Sequence, residues 1–543
     1  MDDTTNMDRF ASRRSVTYAS EGMVATSQPL AAEAGVSILR AGGNAFDAAV
    51  GTAAALNVVE PTSTGLGGDV FALYRTADGE VGGLRSCGPA PREATIENVR
   101  QSVAGPNDAF EDVAMPFTGP HSVTVPGTAR GWEATVEELG RLSLGEVLEP
   151  AVRHAIEGYP VSPVISHHWQ SAESLFTDDH AREVYLPAGR APRAGERVRL
   201  PNLGRTMERI AAEGADVLYE GEVGEAIVAE VRDKGGLLST EDLAAFEPEF
   251  VDPISTTYGG AEVYELGPNN QGLLALEALN VAEAIGAGEH PAGSAGGIHF
   301  FAEAMKRAFH DGHFYTTDPE FEDVPALHAK DYAAERAGEI DDRATPASEV
   351  GIGMPGSGAE DADTVLLCVA DSEGNVVSYI NSRFAGFGSG LVAEGTGIAL
   401  QNRGASFSLD RDHPNSLEPG KRPFHTLIPG LAKLDEEDWL SFGVMGGYMQ
   451  PQGHLQVLSG LLDHDRSLQA ALDWPRWRYR ENGRLAVESR VDSEVFTALS
   501  RRGHDVTVEP PGAFGGGQLV RRRSDGVLSG ASEPRKDGVA IGY

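Results

Sequence analysis

Thr364 stands where two kinds of sequence meet. Upstream, residues 341–363 are rich in Pro, Gly, Ala, Ser and acidic residues, which reads as an exposed loop. Downstream, Val365 to Ala370 is an unbroken apolar run, too short for a helix and with a valine near each end. It reads as a buried strand, and Ser372-Glu373-Gly374-Asn375 as the hairpin turn into a second strand, Val376 to Ile380. A threonine at that junction could do no more than begin the strand. It could also do chemistry, because a free α-amine on the same residue can act as the base that activates its hydroxyl. With an unperturbed pKa of about 7.7–8.0, such an amine is partly neutral near physiological pH. Position alone leaves both readings open.

Other constellations carry less. His299, His310 and His313 fall in a helical pattern over 291–313, but no HExxH spacing accompanies them, and isolated histidines usually pack or lie at the surface. No metal site is expected. GIGMPG, residues 351–356, matches a dinucleotide fingerprint in letters only. No strand precedes it, and Pro355 spoils a helix start, so it reads as loop. A Walker lysine motif and a GxSxG elbow are both absent. Cys87 and Cys368 form no CxxC pair, and Cys368 sits inside the apolar strand as a packing residue. No cofactor is expected.

Ordered along nearly the whole chain are GGNAFDAAVGTAAALNVVEPTSTGLGGDVF (Gly42 to Phe71), VPGTARGW (Val125 to Trp132) and GGLLSTEDLAAF (Gly235 to Phe246). Beyond the DTVLLCVADSEGNVVSYINS stretch come GKRPFHTLIP (Gly420 to Pro429), GVMGGYMQPQGH (Gly443 to His454), DWPRWR (Asp473 to Arg478) and GASEPRKDGVAIGY (Gly530 to Tyr543). Together these resemble the gamma-glutamyltranspeptidase (glutathione hydrolase) family of N-terminal nucleophile hydrolases. The resemblance implies an α+β fold, a four-layer αββα sandwich. It implies autocleavage between Asp363 and Thr364, giving a large piece, 1–363, and a small piece, 364–543, interleaved in one core. It also implies roles. Thr364 is the nucleophile and Ser382 the second hydroxyl that assists it. The backbone N–H groups of Gly446 and Gly447 form the oxyanion site, where losing one donor typically costs about 2.7–4 kcal/mol. The reaction implied is transfer of a γ-glutamyl or related acyl group from an amide to water or an amine, with small molecules as the only partners.

Substrate-reading positions depart from that family. Cys87 replaces an arginine that grips the substrate α-carboxylate in relatives, with Arg85 two residues away as a substitute if the stretch is extended. Arg403 and Ser406 stand where relatives hold the α-amine with a glutamine and an aspartate, and His425-Thr426 replaces a serine pair. An ammonium beside Arg403 would be repelled and a carboxylate held, unless a neighbour such as Asp410 neutralises the arginine. This pattern is similar to the divergent branch that includes cephalosporin and glutaryl acylases. A catalytically silent binding scaffold is the alternative of another class.

Pro29 to Arg40 has helical spacing that stops at Gly42-Gly43, and Asn44 caps a second helix running to about Val59, ended by Pro61. TSTGLGGD, Thr62 to Asp69, is a glycine turn into a strand, Val70 to Arg75, under the floor of the implied site and without a direct catalytic role. Residues 123–250 read as mostly helical. The 543 residues are 41% hydrophobic, enough for a large core, and the formal charge is −37. Of the 44 basic residues only six are lysines, and the acids are spread along the chain. Such a surface points to halophilic solvation, with an acidic patch for a basic partner as the alternative, and argues against nucleic acid, whose phosphates it would repel. The first twenty residues contain no apolar h-region and no stretch reaches membrane-spanning length, so the expectation is a soluble cytoplasmic protein without membrane contact.

Overall fold

The structure, a computed structural model, describes residues 14–105, 109–350 and 364–543. Asp363 and residues 351–356 therefore lie outside the described residues.

Two antiparallel seven-stranded sheets face each other. In chain order their strands are β1 (Thr17–Ala19), β2 (Gly22–Thr26), β3 (Asp69–Arg75), β4 (Val81–Ser86), β5 (Glu249–Val251), β6 (Ile254–Tyr258) and β7 (Ala261–Glu265). The second half of the chain supplies β8 (Val365–Asp371), β9 (Val376–Ser382), β10 (Gly430–Asp435), β11 (Asp438–Met445), β12 (Gly516–Arg522), β13 (Leu528–Ser532) and β14 (Val539–Gly542). One sheet has the order β1-β13-β12-β11-β10-β7-β6 and the other β14-β2-β8-β9-β3-β4-β5. The β8–β9 hairpin turns at residues 372–375, as its turn residues predict, and is inserted between β2 and β3.

Why β8 lacks polar alternation follows from this position. Val365, Leu367 and Val369 face a helical layer, while Leu366, Cys368 and Ala370 face the opposite sheet. Both faces are covered, so both must be apolar. The helical layer is α1 (Pro29–Arg40) and α2 (Ala45–Val59), with α3 (Leu144–Glu157) outside them. Asn44 caps α2 with a full capping box: its side chain accepts from the Asp47 N–H while the Asp47 carboxylate accepts from the Asn44 N–H. Every residue of α2 is buried, because α1 and α3 cover the face turned away from the sheet. On the far side, α4 (Gly272–Ala284) and α6 (Met449–Leu462) pack on the other sheet, joined by α5 (Ala295–Tyr315). The expected four-layer αββα sandwich is thus the observed one. No helix among the described residues is long and apolar enough to cross a membrane.

Hydrogen bonds as well as apolar contacts tie the sheets face to face. Ser378 on β9 donates to Phe442 O at 2.9 Å and accepts from Gly430 N at 3.2 Å, and Ser441 donates back to Val377 O at 2.7 Å. A methyl group on Gly443 of β11 would lie 2.8 Å from Leu366 Cδ2 of β8. That contact sets the start of β8 over the end of β11. Thr364, just before β8, and Gly446-Gly447, just after β11, therefore emerge at the same end of the sandwich.

Candidate active site

Thr364 is buried, and its Oγ1 lies 3.3 Å from the Ser382 hydroxyl at the end of β9. Both hydroxyls arrive together because β8 and β9 pair antiparallel, with Val365 opposite Asn381. Ser382 Oγ also accepts the N–H of Phe384 at 2.9 Å. Phe384 has φ +80°, a region an L-residue with a side chain seldom occupies, at a cost of order 1–3 kcal/mol. Under Ser382 runs the turn Thr62–Asp69. A Cβ on Gly68 would fall 2.3 Å from Ser382 O, so that position has room for glycine alone.

At the other side of this end, Gly446 (φ +122°) and Gly447 (φ +57°) form the turn from β11 into α6. Both conformations are strained for any residue with a Cβ. The N–H groups of this pair carry no hydrogen bond to a described residue, whereas their carbonyls accept from Met449 and Gln450. Two amides beside the N-terminus of a 14-residue helix suit a developing oxyanion.

Arg403 joins the two sides. Its side chain is fully buried, and its guanidinium stacks on Phe384 with Cζ 4.3 Å from the ring centre. Nη1 donates to Thr426 Oγ1 at 2.8 Å. The Thr426 carbonyl and the Gly447 carbonyl both accept from Gln271 Nε2, at 2.6 and 2.9 Å. Arg403 is therefore linked through Phe384 to Ser382, and through Thr426 and Gln271 to Gly447. Burial lowers its pKa to about 10, with Asp69 the leading charge that opposes the shift.

Asp69 is the site residue that sequence reasoning missed. It is fully buried at the start of β3, and burial pushes its carboxyl up to about 7, opposed by Arg403, Gln401 and backbone amides. Oδ1 accepts from Gly127 N at 3.1 Å and Gln401 Nε2 at 3.1 Å, and Oδ2 accepts from His425 Nε2 at 3.0 Å. His425 Nδ1 in turn accepts the Leu427 N–H at 3.2 Å, so both ring nitrogens are engaged. Burial, then the charge of Arg403, hold His425 well below its ordinary pKa and therefore neutral. The only signal in the sequence was the aspartate ending the glycine turn.

The remaining expected residues fall as follows. Ser406 is buried in the same short 3-10 turn as Arg403, its hydroxyl without a hydrogen-bond partner among the described residues. Cys87 is buried beside Asn269, its thiol pushed up to about 12 by burial and then by Asp69. Arg85 does not take over a free carboxylate-binding role: it is paired to Glu249 at 2.7 Å and bonded to Pro268 O. Asp410 does not neutralise Arg403; the carboxylate acting on that arginine is Asp69. Of the three helical histidines, His299 bonds His504 at 2.9 Å, near Glu303, but each Glu303 oxygen is already held at 2.6 Å, by Lys306 and by Arg307.

The gamma-glutamyltranspeptidase family model matches residues 31–543. The chain belongs to that family. Among the family's members, the glutathione hydrolase-like YwrD proenzyme of Bacillus subtilis is 36% identical over 96% of this chain and 98% of its own length. The acylase ACY 1 proenzyme of Pseudomonas sp. (strain SE83) is 34% identical, covering 98% and 95%. Of solved structures, the cephalosporin acylase from Bacillus halodurans superposes with a TM-score of 0.90 at 44% identity, covering 98% of both chains. The family's N-terminal nucleophile hydrolase fold accounts for the sandwich described above.

Proposed function

We propose that this gamma-glutamyltranspeptidase-family protein is an autoprocessing acyl-amide hydrolase or transferase whose nucleophile is Thr364. Cleavage of the Asp363–Thr364 bond frees the α-amine. Thr364 Oγ1 then attacks the carbonyl carbon of a γ-glutamyl or related dicarboxylic acyl amide, the α-amine taking the hydroxyl proton and delivering it to the departing amine. The Gly446 and Gly447 amides hold the oxyanion, and Ser382 keeps the threonine hydroxyl aligned. Water or an acceptor amine finally takes the acyl group from the threonine ester. No step needs a metal or cofactor.

The observation that carries this reading is the contact between Thr364 Oγ1 and Ser382 Oγ. The proenzyme, hydrolase and acylase names of the relatives support it. The two pieces would stay associated after cleavage through the pairing of β8 and β9 of the second with β2 and β3 of the first. A second reading, acylase action on another dicarboxylic acyl amide, is favoured by the buried Arg403, whose charge would repel a donor ammonium and hold a carboxylate.

Denaturing electrophoresis and N-terminal sequencing in high-salt buffer test the proposal. Wild type should give two bands, the smaller beginning Thr364-Val365, and Thr364→Ala should stay one chain. A wild type that remains full length after prolonged incubation in molar salt returns the protein to the silent-scaffold class.

A further inference from the structure

Lys234 stands between two carboxylates that belong to different helical segments. Its Nζ lies 2.8 Å from Asp178 Oδ2 and 3.6 Å from Glu230 Oε1. Glu230 is on the helix Glu222–Asp233, and Asp178 precedes the helix Asp179–Tyr185, which carries His180. His180 Nε2 lies 3.3 Å from Glu230 Oε2 and 2.9 Å from the Val392 carbonyl oxygen. One ligand atom from each of Asp178, His180 and Glu230 falls within 4.8 Å of the other two. Bonds of about 2.0–2.2 Å to one ion hold neighbouring ligand atoms roughly 3–3.5 Å apart, so these separations need little adjustment.

Glu230 is the member that asks for a further partner. It is only 8% exposed, and its Oε1, shielded from solvent, makes no hydrogen bond to a described residue. Lys234, at 3.6 Å, is beyond hydrogen-bond reach of that oxygen. A buried carboxylate oxygen left in this state is costly, and a closer cation would relieve it.

We propose that Asp178, His180 and Glu230, with the Val392 carbonyl as a fourth donor, form a structural site for a divalent ion of the zinc class. One imidazole and two carboxylates suit zinc, whereas calcium and magnesium favour oxygen donors alone. On binding, the proton of His180 Nε2 passes to Nδ1 through solvent and the Nε2 lone pair goes to the metal. The Lys234 ammonium swings out to water. It is free to do so because its side chain is 29% exposed at the C-terminal end of its helix. The cations on Glu303 in the other histidine cluster are not: Lys306 and Arg307 are buried, each 2.6 Å from a carboxylate oxygen. Nothing in the sequence marks the site, because its residues come from separate segments.

The donors come from both sides of residue 364, three before it and Val392 after it. Val392–Ala393 pairs with Ile398–Ala399 in a small hairpin that rests on the helices of the first side. Tyr185 Oη donates to Gly397 O at 2.8 Å, and Thr206 Oγ1 to Thr396 O at 2.9 Å. This hairpin lies in the stretch that joins Ser382 to Arg403, so a metal here stiffens the connection between them. Binding requires neither a cut chain nor an active nucleophile.

Calorimetric titration of untagged, chelator-treated wild type with ZnCl2, at fixed ionic strength, tests the site. One saturable site is expected, and Zn2+ at about a hundredfold excess over its Kd should raise the melting temperature by roughly 2–5 °C. His180→Ala and Glu230→Gln should each weaken binding at least about tenfold. Lys234→Met, which removes the competing ammonium, should tighten it severalfold. X-ray absorption of the zinc-loaded wild type needs no variant, and one imidazole among oxygen donors is expected. Two imidazoles would put the ion at His299 and His504 and overturn the proposal. So would a wild type without saturable binding, a site unchanged in both His180→Ala and Glu230→Gln, or one that Lys234→Met weakens.

Discussion

Asp69 and Arg403 form a charge pair whose balance changes in an accessible pH range. Burial pushes the Asp69 carboxyl up to about 7, from an ordinary value of 3.8. Between those values the folded state holds a proton that the unfolded chain has released, so this group's contribution to stability falls as pH rises through about 7. Donor binding follows the same sign. In the acylase reading proposed above, Arg403 would meet a donor carboxylate with its charge uncompensated below about 7, where Asp69 is neutral; above it, Asp69 competes for the same guanidinium. KM for a carboxylate donor should therefore be lower at pH 6 than at pH 8, by roughly three- to thirtyfold. The opposite trend belongs to kcat under the proposed mechanism, which needs the threonine amine neutral and so rises with pH as that amine loses its proton; an unperturbed α-amine does so at about 7.7–8.0. Separate kcat and KM profiles check this, and Asp69→Asn should flatten the KM profile alone. A KM that is flat in wild type would mean that Asp69 stays in one protonation state.

At the scale of elements, the sandwich depends on polar ties as well as on apolar layers. Ser378→Ala leaves the buried Gly430 N–H and Phe442 carbonyl without the hydroxyl that serves both. A loss of about 1–3 kcal/mol is expected in urea unfolding, with the m-value unchanged. A loss near zero would show water filling the gap. Much of the element plan was legible beforehand. The Asn44 cap, the end of α2 before Pro61, and the β8–β9 hairpin are local signals, and each lies where its residues put it. The continuous apolar run of β8 announced a strand covered on both faces. What stayed hidden was long-range. Nothing near Asp69 in the sequence shows that His425 and Arg403 converge on it, and the φ +80° of Phe384 has no sequence signature at all. Arg85 was a reasonable substitute for the missing arginine until Glu249, brought in by the pairing of β5 with β4, claimed it.

Over the whole molecule the charge is −37. At about 0.1 M salt the Debye length is ~10 Å, so repulsion among surface acids reaches across neighbouring side chains; at about 1 M it shrinks to ~3 Å. The melting temperature should rise by several degrees between 0.1 and ~2 M KCl, as a weakened self-repulsion of this sign requires. A melting temperature that is unchanged or falls would assign the acids to a basic partner instead of to saline solvent. Exposed ion pairs such as Arg153–Glu149 would weaken over the same range, but such pairs contribute little to begin with.

The placement of β8 and β9 between β2 and β3 has one more consequence, for the molecularity of unfolding. As a single chain, the precursor loses its fold in a unimolecular step that dilution cannot affect. With the chain cut before Thr364 as proposed, the same sheet is shared by two polypeptides, and losing the fold sets them free of each other. Reassembly then becomes a second-order encounter, so the mature enzyme's resistance to heat carries a concentration term that its own precursor lacks.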